Sequence, residues 1–344
     1  MAKLKYTEAE LMAEHEYAKP HKEAGYLLHG GFDAQGTYVS PRTLHRWPAV
    51  HAWQNALKER GFPLVDATSD LLQPETVPNL EQQRFLLSNG LGTSLWNGLT
   101  ITGIVEARGQ ILCEFTAPDF QDIIVDDVSE MSIGHLNKGL LYGHGADEGG
   151  DPKRPEYGAH DAMWFASRDL LFGKDAYPMP GEPTNISRPD GGRRMPEIPE
   201  AYENTLLLLM NVLMIEVRAE AFFSFCCSIM RDPTLFQDRR EDAELAATMV
   251  ERIREDEAIH VGYLQTVVSE MRSVTFKTVD GGTIDGAELI DKAWNDMVHW
   301  HAVERVEIER AEAVERLLAE VRTLPEGEAK VADFLAMSDA GIAA

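Results

Sequence analysis

The sequence is short of cysteine, short of positive charge and without a long apolar run, and each shortage closes off a class of protein. Three cysteines occur among 344 residues, Cys113, Cys226 and Cys227, and two of them are neighbours in the chain. Adjacent cysteines seldom pair with each other, so no disulfide framework follows and a reducing, cytoplasmic setting is expected. Lysine and arginine number 32 against 57 aspartates and glutamates, a formal net charge of −25, with no basic stripe to set against it. A polyanion repels a polyanion, so neither nucleic acid nor an anionic membrane surface is expected as a partner. The most apolar stretch, residues 206–215, is interrupted by Asn211 and followed by Glu216, too short to span a bilayer. The first residues are charged and lack the apolar core of a signal peptide.

What is present is enough apolar residue, 44%, to build a real core despite the charge. Residues 1–75 read as an irregular cover, rich in glycine, with one helix over 41–60 closed by Gly61-Phe62-Pro63. Residues 76–325 read as a helical domain, and 326–344 as a C-terminal tail. Within the domain the spacing predicts helices over 78–115, 119–142 and 156–172, with a Gly-rich acidic loop over 144–155 and an irregular connection over 173–199. Two strong helices follow, over 200–230 and 238–272, joined at Arg231-Asp232-Pro233. A small β-hairpin over 274–284 and a last helix over 287–322 complete a mostly α fold.

The informative feature is acid on apolar stripes. Glu216 and Glu220 step in phase with Leu206, Leu209, Leu213, Phe223 and Cys227, and Glu257 with Met249, Ile253, Val261 and Leu264. Burying a carboxylate is costly unless it is paired or bound to metal, and several buried together repel one another. Metal cations would remove both penalties. Glu257-Ala258-Ile259-His260 is a Glu-x-x-His step, whose two side chains share one helix face and can reach one ion. Dinuclear carboxylate bundles combine this step with a glutamate from a facing helix. Glu220, across the turn, is the candidate. Glu216 is a second ligand, a proton relay or the partner of a buried arginine. Asp256 is placed to orient a ligand histidine.

Glu220, a spacer of 35 residues, then Asp256-Glu257-Ala258-Ile259-His260 resembles the Glu, spacer, Asp-Glu-x-x-His pattern of ferritin-like di-iron carboxylate oxygenases, including the p-aminobenzoate N-oxygenase type. The resemblance covers residues 200–272, and Ile253 stands where the N-oxygenase type has a further histidine. It implies a ferritin-like four-helix bundle, two iron ions with manganese as the alternative, and O2 activation.

Such a bundle needs a second half-site from the first helix pair. Glu106 and Glu130 sit level on either side of the turn at 117–119. His135, five residues after Glu130, would join them through a π-bulge at Gly134. His144 would serve only if the chain folds back. Glu156 and His160 read as a surface pair, and His299 and His301 point to different faces. The expected function is a dinuclear-metal oxidoreductase, an oxygenase or oxidase, using O2 or peroxide and an electron donor on a hydrophobic or aromatic small molecule. Trp96, Phe222, Phe223 and Met249 would line the pocket, and the last helix suggests a homodimer. A metal-free helical binding or assembly protein and a ferroxidase are the alternatives.

Overall fold

A computed structural model describes residues 2–72, 77–181 and 192–340, and it is mostly helical. The first stretch holds α1 (Glu8–Leu11), the hairpins β1 (His21–Glu23) with β2 (Tyr26–Leu28) and β3 (Gly31–Phe32) with β4 (Tyr38–Val39), and α2 (Thr43–Glu59). A single turn such as α1 survives because Thr7 and Glu10 form a reciprocal capping box.

Next come α3 (Leu80–Ser88) and α4 (Thr93–Gly109). The sequence pattern suggested one helix here, but the chain turns at Gly90, whose φ of +78° no right-handed helix accommodates. Residues 119–142 differ more. They form 3₁₀ turns at Phe120–Asp122 and Ser132–Lys138 in place of a long helix. Asp119 and Asp127 accept hydrogen bonds from the backbone N–H groups of Gln121 and Ser129, at 3.0 and 2.8 Å, a local alternative to helix. Of the loop predicted over 144–155, residues 144–148 instead belong to α5 (Leu140–Glu148), while 149–155 are irregular as expected, and α6 (His160–Phe172) follows.

The two strong helices appear as expected, as α7 (Glu200–Met230) and α8 (Arg240–Met271), and the hairpin as β5 (Thr275–Lys277) with β6 (Thr283–Asp285). The last predicted helix is α9 (Gly286–His299) and α10 (Arg305–Arg322), joined through a π-helical turn at Trp300–Glu304. The predicted tail carries α11 (Gly327–Ala340), whose Val331 and Phe334 pack on Leu86, Leu317 and Val321. Helix α4 packs on α6, α6 on α8 and α8 on α7, with α5 against α4 and α8. Helix α2 closes over α8 from outside, where Trp47 and Val50 approach Gly262. No described helix is long and apolar enough to cross a membrane.

One buried acid ties the 3₁₀ turn to this frame. Glu270 on α8 accepts hydrogen bonds from the N–H groups of Ser132 and Ile133, at 3.1 and 3.3 Å, and from the Ser132 hydroxyl. Burial outweighs these bonds and pushes its pKa from 4.5 up to about 7. The folded state therefore binds this proton more tightly than the unfolded one. The stability it contributes is full below pH 4.5 and is lost as pH rises through 7. Glu270→Gln keeps an acceptor and removes the titration. Urea unfolding at both ends of that window should show a pH-dependent loss smaller by on the order of 3 kcal/mol than in the parent.

Candidate metal centre

Four carboxylates and three imidazoles converge between these helices. Glu106 comes from α4, His144 and Glu148 from α5, His160 from the first residue of α6, Glu216 from α7, and Glu257 and His260 from α8. All seven are buried. Helix α5 brings two of them because glycine lets it lie against the end of α4. A Cβ at Gly145 would sit 2.8 Å from the Cys113 nitrogen, and one at Gly149 would sit 2.6 Å from the Ala107 carbonyl oxygen. At Gly109 a Cβ would meet that of Glu148 at 2.6 Å. With this approach secured, His144 and Glu148, four residues apart, face the cluster together.

Within these seven residues the ligand-type atoms fall into two adjacent groups, and a third group, His29, His160 and Asp256, adjoins them through His160. Of the first two, Glu106, Glu148, His160 and Glu257 make one, His144, Glu148, Glu216 and His260 the other, and each could hold a metal ion. Glu148 belongs to both. Its Oε1 lies 3.0 Å from His260 Nδ1, 3.5 Å from His144 Nε2 and 3.7 Å from His160 Nδ1, yet it accepts no hydrogen bond. Glu257 also spans the groups, with Oε1 3.0 Å from His160 Nδ1 and Oε2 2.7 Å from His260 Nδ1. His144 Nε2 is 3.0 Å from Glu216 Oε1. His160 Nδ1 has carboxylate oxygens around it but no hydrogen-bond partner. A buried polar atom left this way signals a missing partner.

Each imidazole is held from behind through its other nitrogen. His160 Nε2 is 3.2 Å from Asp256 Oδ2, His260 Nε2 is 3.3 Å from Asp147 Oδ2, and His144 Nδ1 is 2.8 Å from the Tyr263 hydroxyl. Asp256 also accepts a bond from the Tyr38 hydroxyl, at 3.2 Å. Asp147 is clamped by Arg42 and by Arg46, whose Nη1 lies 2.8 Å away. Among the carboxylates, Glu106 accepts a hydrogen bond from the Trp164 indole N–H, at 3.0 Å. A carboxylate or hydroxyl behind each ring fixes the ring's orientation and the nitrogen it offers forward, as metal-ligating histidines require.

The protonation pattern expresses the crowding of acid. Burial and the charge of Glu148 push Glu106 well above the usual carboxylate range, and burial with the charges of Glu257 and Glu148 pushes Glu216 up to about 8. Burial and His144 work against a charge on His260, but Glu257, Asp147 and Glu148 prevail and raise its pKa to about 10. Without cations, then, the cluster retains protons on glutamates and imidazoles to limit its charge. Metal binding would displace those protons, the linkage expected of a site built from acids and imidazoles.

Of the residues singled out in the sequence, the structure brings together Glu106, Glu216, Glu257 and His260, with Asp256 behind His160. Three others lie elsewhere. Glu220, one turn beyond Glu216, is partly exposed and is held by Arg254, with Arg254 Nε 2.7 Å from its Oε2. Glu130 is exposed, 3.8 Å from the Lys5 ammonium. His135 is buried away from the cluster with both nitrogens engaged, Nδ1 at 2.7 Å from the Met131 carbonyl and Nε2 at 3.0 Å from the Tyr6 N–H, which donates to it. The distortion proposed at Gly134 is a 3₁₀ turn rather than a π-bulge. His160, read as half of a surface pair, is fully buried, and His144 enters from the stretch read as a loop. Glu148 had no sequence signal beyond its i,i+4 spacing from His144. Compared with known proteins, the chain matches no family model, no curated protein and no solved structure.

Because Gly109 leaves no room between α4 and Glu148, Gly109→Leu is expected to displace Glu148 and loosen α5. Chemical unfolding should show a loss of about 1–3 kcal/mol, as for other overpacked contacts. Metal retention should fall with it.

Proposed function

We propose that this chain is a ferritin-like dinuclear-metal oxidoreductase that uses O2 or peroxide on an apolar small molecule. The observation that carries the reading is the orientation of the three histidines. Each turns one nitrogen into a cluster of four glutamates while Asp256, Asp147 or Tyr263 holds the other. An acid cluster serving only structure would gain nothing from three backed imidazoles and an unpartnered Glu148 oxygen.

The donor set fits two divalent cations. Glu106 and His160 would hold one, Glu216, His144 and His260 the other, with Glu148 and Glu257 shared. Four carboxylates supply the charge that two dications cancel. Mixed oxygen and imidazole ligation suits iron, with manganese as the alternative. Helices α4, α6, α8 and α7 would be the four helices of the bundle, with α5 delivering Glu148 and His144 at the leading end of the second. A bound pair of such ions supplies one-electron steps toward O2 or peroxide. The protein's own part is to fix the donors, to hold Asp147 charged between Arg42 and Arg46, and to exclude water from a buried site. The acidic surface, at a formal net charge of −25, supports a small molecule rather than nucleic acid as the partner.

Loading the protein anaerobically with ferrous iron and then admitting O2 tests the reading. Oxidation is expected to stop at ~2 irons per chain and to resume only when a reductant is added. Continued oxidation of many more equivalents into a mineral would favour iron storage, and no oxidation at all would sink the proposal.

A further inference from the structure

The cluster has a deep side and a shallow side. His160 and His260 are 0% exposed and His144 1%, whereas Glu106, Glu148, Glu216 and Glu257 are 6%, 7%, 5% and 4% exposed. Two of these less buried glutamates, Glu106 and Glu216, come from α4 and α7. Neither helix is the other's main neighbour, since α4 packs chiefly on α5 and α6, and α7 on α3, α8 and α9.

One close contact sets how they face each other. A Cβ at Gly98 of α4 would lie 3.2 Å from Cζ of Phe222 of α7. Thr102 and Val105 follow Gly98 on the same face of α4, four and seven residues on. Ala219 and Ile215 precede Phe222 on the same face of α7, three and seven residues back. All six residues are half-buried although they lie in the middle of long helices. The Thr102 hydroxyl is spent on the Gly98 carbonyl, at 2.9 Å. These six residues offer methyl, aliphatic and aromatic surface; Arg218, four residues before Phe222, flanks the row, and its guanidinium is engaged by the His301 carbonyl and Glu309. Glu106 lies eight residues from Gly98, and Glu216 six from Phe222. The rows therefore run antiparallel over roughly 9–12 Å from the Phe222 ring to the cluster.

We infer that this α4–α7 cleft is where the substrate of the dinuclear centre binds, and that it takes an uncharged, flat apolar molecule of one or two rings. The inference rests on the dinuclear reading for the chemistry, but not for the cleft. A carboxylate-bearing molecule would give up its hydration to methyl, aliphatic and aromatic surface, with no cation among the six lining residues to receive it. Phe222 over Gly98 is the end stop that sets the length.

Calorimetric titration of the full chain, metal-loaded under anaerobic conditions and metal-free, with p-cresol and p-toluate tests this. The two probes match in size and differ in charge. The neutral probe is expected to bind at least about tenfold more tightly than the anion. Ala219→Leu, which fills the cleft, should weaken p-cresol by about tenfold or more while metal content stays that of the parent. Thr102→Leu, on the opposite wall, should do the same and guards against a folding defect in the first variant. Equal or tighter binding of p-toluate, or p-cresol affinity unchanged in both variants, would overturn the cleft. Intact p-cresol binding with the expected variant losses, but fewer than about one metal per chain, would uphold the cleft and overturn the dinuclear reading instead.

Discussion

If the centre is dinuclear as proposed, Glu148→Ala is expected to cost both metal ions, not one. A single oxygen of this carboxylate, Oε1, approaches an imidazole nitrogen of His144, His160 and His260 alike, whereas Glu257 reaches His160 and His260 with separate oxygens. Glu106 and Glu216 each belong to a single group. Glu106→Ala and Glu216→Ala are therefore expected to leave about one metal per chain, and Glu148→Ala well under one. Metal analysis after gel filtration reads the difference. Glu220→Ala is the control, because its carboxylate is spent on Arg254 at the surface, and it should retain the parent content. His135→Ala should also keep its metal while losing stability, since it removes the acceptor of the Tyr6 N–H and a buried ring. Equal metal contents in Glu148→Ala and Glu106→Ala would remove Glu148 from the shared position.

Asp147→Ala is expected to have the largest effect on stability. Its carboxylate lies between the Arg42 and Arg46 guanidinium groups and behind His260, all deeply buried. Burial works against its charge, but the two arginines and His260 hold its pKa well below the ordinary range. Removing it leaves Arg46 without its anion and Arg42 with only Glu14, 3.6 Å away, and breaking a buried ion pair from one side costs about 3–5 kcal/mol. It also frees the ring of His260, for which losses of about 10–100-fold in metal affinity are typical. Asp147→Asn should keep the packing and lose the charge, so it separates the two effects. Unfolding free energies and metal competition titrations should both place it between the parent and Asp147→Ala. Full stability in Asp147→Ala would show that the arginines find another counter-charge.

How much of this centre could be read in advance depended on whether its residues sat in regular helices. The stripes of α7 and α8 run without interruption, so Glu216, Glu257 and His260 were visible as acids and imidazole out of place among apolar residues. Glu106 was visible for the same reason. Glu220 follows as the facing glutamate from its place on the apolar stripe across the turn, and the spacer length of the resemblance agrees with it. Periodicity admits Glu216 and Glu220 equally, and only the neighbour on α8, Arg254, settles which one points outward. The first half-site was hidden for a different reason. Glycine normally weakens a helix, so Gly143, Gly145, Gly149 and Gly150 made 144–155 look like a loop. In the folded chain three of those glycines serve close approach to α4 and α2, a tertiary benefit that no local propensity contains. Residues 119–142 erred the other way, because apolar spacing there serves a turn packed on α8 and β5, not a helix. His160 opens a helix, where its i,i+4 partner at Glu156 lies outside the helix and the surface-pair argument no longer applies.

Anomalous diffraction from crystals of the iron-loaded chain tests most directly whether two cations share Glu148. Data collected on either side of the iron edge should show two peaks roughly 3.5–4 Å apart. One should lie against Glu106 and His160, the other against Glu216, His144 and His260, with Glu148 and Glu257 between them. A single peak, or peaks beside Glu130, His135 or Glu220, would contradict the account.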